Sequence, residues 1–158
     1  LLTPRVLARI VQAVDLKKTE TAAQVGLGDG YLTALLAKFA KSVTVFELNE
    51  TILHFAQHNL NQHAVRNVNY ELSNGLKNGT DQYDVLVLAG SVAELTQGLK
   101  QRIGVGGRLF AIVGCEDAAM MQAVLVKRTS ETSWTQDTLF ETVAPALTQT
   151  HTHSAFAF

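Results

Sequence analysis

Three glycines occupy alternate positions in the stretch Gln24 to Thr33, which reads QVGLGDGYLT. Gly26, Gly28 and Gly30 directly follow a short apolar run, and a run of helix formers comes next. Glycine tolerates positive φ and carries no Cβ, so such a turn lets a ligand approach the main chain closely. The first N–H groups of the following helix have no partner within the helix and suit the polar atoms of a ligand. The spacing therefore predicts a ligand-binding turn between a strand and a helix.

An acidic residue closes the next apolar segment of the chain. The segment SVTVFEL carries Glu47 near its end, 21 residues after Gly26. An acid at this offset after a glycine turn accepts hydrogen bonds from both hydroxyls of a ribose. An exposed glutamate at a strand end is the alternative, and the offset favours the ribose contact.

The elements that must position these residues alternate between strand and helix patterns. In chain order they are a helix capped by Thr3 and running from Pro4 to near Leu16, a strand TAAQVGLG, a helix YLTALLAKFA, a strand SVTVFEL, a helix ETILHFAQHNLNQH, a strand NVNYEL, a strand YDVLVLAG, a helix SVAELTQGLKQRI, a turn GVGG, a strand RLFAIVG, a helix around Ala118 to Leu125, and strand-like runs SWTQDTLFETV and SAFAF. Alternation of this kind predicts an α/β domain in which a doubly wound, mostly parallel sheet lies between two helical layers. We expect one domain over residues 1–158.

Composition excludes several classes of protein. The 158 residues are 47% hydrophobic and 17% charged, which suits a packed core. The formal net charge is −1 and no basic run appears, so no nucleic-acid partner is expected. The apolar runs are too short to span a bilayer, so no membrane partner is expected. Cys115 is the single cysteine, which excludes an internal disulfide and suits a cytoplasmic location. The oligomeric state is left open.

The glycine spacing distinguishes between cofactors. A dinucleotide fingerprint, G-x-G-x-x-G, would require glycine at Tyr31, which disfavours a nicotinamide-dependent reductase. The pattern G-x-G-x-G, with an acid closing the next strand, resembles the motif of S-adenosylmethionine-dependent methyltransferases. The resemblance implies S-adenosylmethionine as cofactor and S-adenosylhomocysteine as product. The cofactor-binding residues it implies are Gly26, Leu27, Gly28, Gly30, Glu47, Leu48, Asn74, Gly75 and Ala89. Gln24 departs from the pattern, since such enzymes often carry an acid at this position.

The loop after the third strand offers an acceptor for the adenine amine. Asn74 supplies a carbonyl oxygen there, and Leu48 and Leu76 could close on the two faces of the purine. Asn-Gly is equally typical of a plain turn, so the pair Asn74-Gly75 alone leaves both interpretations open.

Taken together, the segments resemble the protein-L-isoaspartate O-methyltransferase family from Leu2 to Leu147. The matching stretches are QVGLGDGYLTALLA, VFELNETILHFAQHNL, YELSNG, YDVLVLAGSVAEL, IGVGGRLFAIVG and LFETVAPAL. The resemblance implies methylation of the stray α-carboxylate of isoaspartate, with an isoaspartyl-containing protein or peptide as partner. A carboxylate is already ionised at neutral pH, so the reaction needs positioning rather than a general base.

The substrate side departs from that family. Its motif Thr-Ile-Ser-Ala-Pro places a serine two residues before the proline, where this chain has Leu2. Its fourth strand usually ends Thr-Ala-Ala, where this chain reads Ala89-Gly90-Ser91. Thr3 and Ser91 are therefore the candidate catalytic hydroxyls. We expect the family's helical amino-terminal region, which walls the substrate pocket, to be absent from residues 1–158. A non-catalytic homologue that binds cofactor or a partner is the second hypothesis.

Other chemistry-bearing side chains do not form a recognisable set. His54, His58 and His63 lack the acids or cysteines that would complete a metal site, so no metal is expected. Arg102 and Arg108 flank the GVGG turn and are expected on a solvated face. Trp134 is expected in the core or in a subunit contact.

Overall fold

The structure, a computed structural model, describes residues 2–77, 81–115 and 117–147. Its elements in chain order are α1 (Pro4–Val14), β1 (Thr21–Val25), α2 (Tyr31–Phe39), β2 (Ser42–Glu47), α3 (Glu50–Gln62), β3 (Val68–Leu72), β4 (Tyr83–Val92), α4 (Gln97–Lys100), β5 (Ile103–Val113), β6 (Met121–Ser130) and β7 (Ser133–Thr142). The strand-like run SAFAF lies outside the described residues.

The first helix begins where its cap predicts. The Thr3 hydroxyl accepts a hydrogen bond from the Val6 N–H at 3.3 Å, and Pro4 takes the first helical position. The helix ends at Asp15, whose φ of 45° places it in the left-handed region and whose N–H donates to the Val11 carbonyl. Side chains at helical spacing on one face, among them Ile10, are buried against the sheet.

The seven strands form one sheet in the order β3-β2-β1-β4-β5-β6-β7. All pairings among β1 to β5 are parallel, whereas β6 pairs antiparallel with both β5 and β7. The predicted doubly wound, mostly parallel sheet is confirmed. Because β1 has β2 on one side and β4 on the other, the strand order reverses at β1. Ligands of such sheets bind beside the carboxyl ends of the strands at this reversal, which is where the glycine turn lies.

The two faces of the sheet are covered unequally. Helices α1, α2 and α3 all contribute buried side chains to the core on one face. On the other face the described residues provide only α4, a helix of four residues, together with loop side chains such as Leu76, Leu95 and Leu147. Within the described residues, the second helical layer is therefore reduced to one turn and loops, and the described part of the β3–β4 connection contains no helix.

Two predictions in the carboxyl-terminal half are wrong. The helix predicted around Ala118 to Leu125 is instead the start of β6, because hydrogen bonds to β5 and β7 override the helix-forming residues. The helix predicted from Ser91 to Ile103 shrinks to Gln97–Lys100, because β4 continues to Val92 and pairs there with β5. The GVGG turn lies within β5, where Gly106 has a φ of +87°.

The arginines expected on a solvated face are buried. The side chain of Arg108 is 13% exposed, donates to the Val14 carbonyl at 3.0 Å and forms an ion pair with Glu20 at 2.7 Å. It thereby ties the end of α1 to β5. Arg102 is 5% exposed. Trp134 packs against the core on the thinly covered face and donates its indole N–H to the Lys100 carbonyl.

Candidate functional site

The glycine turn between β1 and α2 uses the left-handed backbone region at all three glycines. Gly26, Gly28 and Gly30 have φ values of +88°, +58° and +88°. Side chains rarely adopt this region, which explains why glycine stands at each position. Gly30 is also the residue before the first turn of α2, where no side chain caps the helix. The turn therefore presents main chain, rather than side chains, at the carboxyl end of β1.

Glu47 at the end of β2 is turned toward this turn. Its Oε1 accepts a hydrogen bond from the Leu27 N–H at 2.9 Å, and its Oε2 accepts one from the Asn49 N–H at 2.9 Å. The carboxylate thus joins the glycine turn to the start of α3. Each carboxylate oxygen has a second lone pair, so Glu47 can still accept from a ligand hydroxyl.

A cavity of about 140 Å³ lies beside Glu47, and we call it the Glu47 cavity. Five of the predicted cofactor residues line it, which shows that β1, β2 and the loop after β3 converge here. The lining consists of Val25, Gly26, Phe46, Glu47, Leu48, Ser73, Asn74, Gly75, Ala146 and Leu147. Leu76, predicted on one face of the purine, is absent from this lining and packs against the core.

The Asn74-Gly75 turn is fixed by its own side chain and by close packing. Asn74 Oδ1 accepts from the Leu76 N–H at 3.0 Å, which makes a local Asx turn. A Cβ added at Gly75 would lie 2.6 Å from the Phe46 Cβ and 2.8 Å from the Val25 Cγ2. Gly75 is therefore required because the loop backbone packs directly on the ends of β1 and β2. The Asn74 side chain reaches the cavity only because the loop lies this close.

A second cavity of about 220 Å³ lies on the other side of the glycine turn, and we call it the Gln24 cavity. Its walls come from the start of α1, the turn itself, the start of α2 and the end of β4. The lining consists of Leu2, Pro4, Leu7, Gln24, Leu27, Gly28, Asp29, Tyr31, Leu32 and Ala89. Three more predicted cofactor residues, Leu27, Gly28 and Ala89, are in this set. The turn separates the two cavities, since Gly26 lines one and Gly28 lines the other.

Gln24 holds the turn in a way that the sequence pattern did not reveal. It is fully buried, its Nε2 donates to the Gly26 carbonyl at 2.9 Å, and its Oε1 accepts from the Thr33 hydroxyl at 3.0 Å. The opposite amide orientation would set two oxygens against each other at Gly26, so the orientation follows from the hydrogen bonds. An ionised acid at this position could not donate to that carbonyl. The uncharged Gln24 amide therefore fixes the glycine turn to β1 and α2 through two hydrogen bonds, which we call the neutral clamp.

The two candidate catalytic hydroxyls are not brought to either cavity lining. Thr3 is exposed and its hydroxyl caps α1. Ser91 is 1% exposed, and its hydroxyl donates to the Ala144 carbonyl at 3.1 Å. Leu2, at the position where the resembling family has serine, does line the Gln24 cavity.

A carboxyl-terminal strap, residues 143–147, crosses the end of β4. The Ser91 N–H donates to the Pro145 carbonyl, and the Leu147 N–H donates to the Ser91 carbonyl, both at 2.8 Å. The strap carries Leu147 over the glycine turn, where a Cβ on Gly26 would lie 2.8 Å from the Leu147 Cδ2. Sequence reasoning matched this stretch only as part of a late strand and missed that it closes the Glu47 cavity.

Clusters of metal-ligating side chains and membrane-spanning helices are both absent from the described residues. No three or more histidine, cysteine, aspartate or glutamate side chains in this part of the chain lie together as metal ligands. His54 and His58 lie on an exposed part of α3. None of the helices between residues 2 and 147 combines the length and hydropathy needed to cross a bilayer.

Comparison with known proteins gives a consistent result for sequence and fold. The model of the family protein-L-isoaspartate(D-aspartate) O-methyltransferase matches residues 2–151. Protein-L-isoaspartate O-methyltransferase 1 of Rhodopseudomonas palustris is 31% identical over 129 residues, which cover 80% of this chain and 52% of that protein. The corresponding protein of Petrotoga mobilis is 25% identical over 70% of this chain and 54% of its own length. The chain spans about half the length of these curated relatives.

Solved structures share the fold. A protein-L-isoaspartate O-methyltransferase superposes with a TM-score of 0.80 at 21% identity, covering 90% of this chain and 46% of that one. A Plasmodium falciparum protein described as a protein-L-isoaspartate O-methyltransferase, solved in complex with S-adenosyl-L-homocysteine, gives a TM-score of 0.81 at 19% identity. That likeness covers 94% of this chain and 76% of the other. Because the family model matches nearly the whole chain, this chain belongs to the protein-L-isoaspartate(D-aspartate) O-methyltransferase family.

Proposed function

We propose that this chain is an S-adenosylmethionine-dependent methyltransferase domain that acts on the α-carboxylate of isoaspartyl residues in proteins or peptides. The observation that carries the proposal is the pair of cavities on either side of the glycine turn, one of them containing the Glu47 carboxylate. Adenosine and the methionyl group are the two ends of one cofactor. The two cavities lie on either side of the glycine turn, so each can hold one end, and the glycines of the turn carry no side chain that would block the cofactor. The family to which the chain belongs supports the same assignment.

The residues present fit this cofactor. Glu47 has lone pairs for the ribose hydroxyls, and Asn74 lies across the same cavity for the adenine. Leu48 and Leu147 supply apolar contact there. On the other side of the turn, Gly28 leaves the methionyl group room beside the Gln24 cavity. The bound cofactor would supply an activated methyl group on a sulfonium.

The protein's own task in such a reaction is to position the acceptor. An acceptor carboxylate is ionised at neutral pH and needs no base, so alignment beside the cofactor supplies the rate enhancement. The walls of the Gln24 cavity include the apolar side chains of Leu2, Leu7 and Ala89. Thr3 and Ser91 then have indirect, structural roles. Thr3 caps the helix that carries Leu7, and the Ser91 hydroxyl holds the strap through the Ala144 carbonyl.

Two measurements on the 158-residue chain test the proposal. Calorimetry with S-adenosylmethionine, S-adenosylhomocysteine and NADH should show binding of the first two and none of the third. A labelled-methyl assay should then show transfer to an isoaspartyl peptide and none to the matched aspartyl peptide. Glu47→Ala serves as the negative control for both measurements.

The outcomes separate the parts of the proposal. Failure of the wild-type chain to bind S-adenosylhomocysteine would overturn the cofactor assignment. Binding without transfer to the isoaspartyl peptide would retain the cofactor and overturn the substrate, in favour of a homologue that binds cofactor without this activity. Leu2 stands where the resembling family has a serine, so the transfer assay is the measurement that tests whether this chain can act without that serine.

A further inference from the structure

Two arginines on the thinly covered face of the sheet are alike in burial and in ring contact. Arg102 and Arg128 are each 5% exposed. The guanidinium of Arg102 lies 5.1 Å from the centre of the Phe46 ring, and that of Arg128 lies 4.9 Å from the Trp134 ring. Their hydrogen bonding, however, is different.

Arg128 uses all of its nitrogens. Nε donates to the Ser130 carbonyl at 3.2 Å, Nη1 to the Ile103 carbonyl at 2.8 Å and Nη2 to the Glu131 carbonyl at 2.6 Å. Arg128 is thus a satisfied buried cation that joins the β6–β7 hairpin to the start of β5.

Arg102 uses one nitrogen of three. Its Nη1 donates to the Gly75 carbonyl, whereas Nε and Nη2 have no hydrogen-bond partner among the described residues. No carboxylate of the described chain lies within ion-pair distance of Arg102 either. A buried cation with unmatched donors lowers stability, so its packing alone does not account for it.

The groups that Arg102 does contact belong to the wall of the Glu47 cavity. Gly75 and Phe46 both line that cavity, and Gly75 packs directly on the Phe46 Cβ. The described part of the β3–β4 connection, residues 73–77 and 81–82, contains no helix, and Gly75 within it packs on Val25 and Phe46. Arg102, which precedes β5, reaches across this face to the loop carbonyl and to the ring beneath it.

We propose that Arg102 is a positioning residue of the cofactor site, retained at a cost to stability because it holds the Asn74-Gly75 turn in its binding position. The inference rests on the proposed function, since it takes the Glu47 cavity as the adenosine site. Arg102 itself is not in the cavity lining, so it would affect cofactor binding only indirectly, through Gly75 and Phe46.

The test compares Arg102→Met with Arg128→Met. Methionine keeps an unbranched apolar stem while removing the charge and every donor. We expect Arg102→Met to unfold at the same urea concentration as the wild type or a higher one, and to bind S-adenosylhomocysteine about tenfold more weakly. Arg128→Met should unfold at lower urea yet bind with wild-type affinity. Arg102→Lys, which keeps the charge and one donor, should bind with intermediate affinity.

Each contrary result has a definite meaning. Wild-type affinity in Arg102→Met overturns the inference, and so does an Arg102→Met chain that fails to fold, since Arg102 would then be a stabilising residue. Equal loss of affinity in the two variants also overturns it. If the wild type itself binds no S-adenosylhomocysteine, the proposed function falls and this inference falls with it.

Discussion

Two regions of the sheet differ in how they pack at the ends of their strands. One region is β1 to β4, whose pairings with one another are parallel, and the other is β5 to β7, whose pairings with one another are antiparallel. At the carboxyl ends of β1 and β2, the main chain at Gly75 packs directly on the Val25 and Phe46 side chains, and the Glu47 carboxylate holds two main-chain N–H groups. In the antiparallel part, Arg128 and Trp134 fill the surface and satisfy their own polar atoms. The first region spends stability on room for a ligand, whereas the second supplies packing. Substitutions in the first region should therefore affect ligand binding, whereas substitutions in the second should leave it unchanged.

The largest effect is expected at Gly75. In Gly75→Ala the new Cβ would lie 2.6 Å from the Phe46 Cβ, an atom close to the backbone that cannot move aside easily. We expect a loss of about 1–3 kcal/mol in the free energy of unfolding, typical of an overpacked site. The displaced loop should also abolish binding of S-adenosylhomocysteine. Urea unfolding and calorimetry measure the two effects.

Gly104→Ala, near the start of β5 and outside both cavity linings, provides the matched control. A Cβ at Gly104 would meet nothing closer than the Gln82 Oε1 at 3.9 Å, an ordinary contact. Its unfolding free energy should change by less than about 0.5 kcal/mol. Similar losses in the two variants would show that the close approach to Phe46 is not the cause of the effect at Gly75.

The next effect concerns the Glu47 carboxylate. Glu47→Ala removes the acceptor for the Leu27 and Asn49 N–H groups and the acceptor proposed for the ribose. We expect S-adenosylhomocysteine to bind more weakly by about 1.5–3 kcal/mol for each charge-assisted hydrogen bond lost. Calorimetry measures this loss, with Glu50→Ala, an exposed position in α3, as the control. An unchanged affinity in Glu47→Ala would show that the ribose assignment is wrong.

The same contrast between regions explains what the sequence could predict. In the parallel region, short apolar runs alternating with helical patterns predicted β1 to β4 and the mostly parallel sheet. Glu47 was found because its place depends on a strand end, which is a local feature. Gln24 was read only as a departure from an acid, since its partner Thr33 lies nine residues later, beyond the glycine turn, and the hydrogen bond is tertiary.

In the antiparallel region, local propensity and tertiary structure disagree. The run from Ala118 to Leu125 is rich in alanine and methionine, which favour helix, yet its register with β5 and β7 makes it a strand. The burial of Arg102 was likewise hidden, because its contacts are with Gly75 and Phe46, which are distant in sequence. Non-local pairing decided both cases.

Gln24 allows the neutral clamp on the glycine turn to be tested by pH. In Gln24→Glu, an ionised carboxylate would face the Gly26 carbonyl at a fully buried site without a proton to donate. Burial raises the pKa of such a carboxyl, so the protonated form, which can donate, is favoured at low pH. We expect a deficit in unfolding free energy of about 1–3 kcal/mol at pH 8 that shrinks toward pH 5.

Gln24→Leu cannot titrate, and its deficit should be the same at both pH values in urea unfolding. If the deficit of Gln24→Glu were also independent of pH, the hydrogen bond to Gly26 would not be the reason for an amide at this position.

The ion pair between Glu20 and Arg108 should affect stability without affecting binding. The hydrogen bond from Arg108 lowers the pKa of Glu20 against the opposing effect of burial. A carboxyl whose folded pKa is lowered stabilises the protein above its unfolded pKa of about 4.3, and this contribution is lost as pH falls through the folded value. We expect Glu20→Gln to lose about 1 kcal/mol of unfolding free energy at pH 7, since the pair is partly solvated, and almost nothing at pH 3.

Urea unfolding at the two pH values checks the sign of this effect. S-adenosylhomocysteine affinity should stay at the wild-type value, because the pair joins the end of α1 to β5 away from both cavity linings. A larger deficit at pH 3 than at pH 7 would contradict the assignment.

The smallest expected effect is at Tyr70 on β3. Tyr70 tests whether a buried unsatisfied group outside the cavities contributes to ligand binding. The Tyr70 hydroxyl is buried without a hydrogen-bond partner among the described residues, and desolvation raises its pKa. Tyr70→Phe removes a polar group that gains nothing from burial, so unfolding free energy should stay constant or rise by up to about 1 kcal/mol. Because Tyr70 lines neither described cavity, S-adenosylhomocysteine affinity should not change. A loss of stability measured in urea would mean that the hydroxyl has a partner. Weaker binding would mean that a buried unsatisfied group other than Arg102 also serves the ligand.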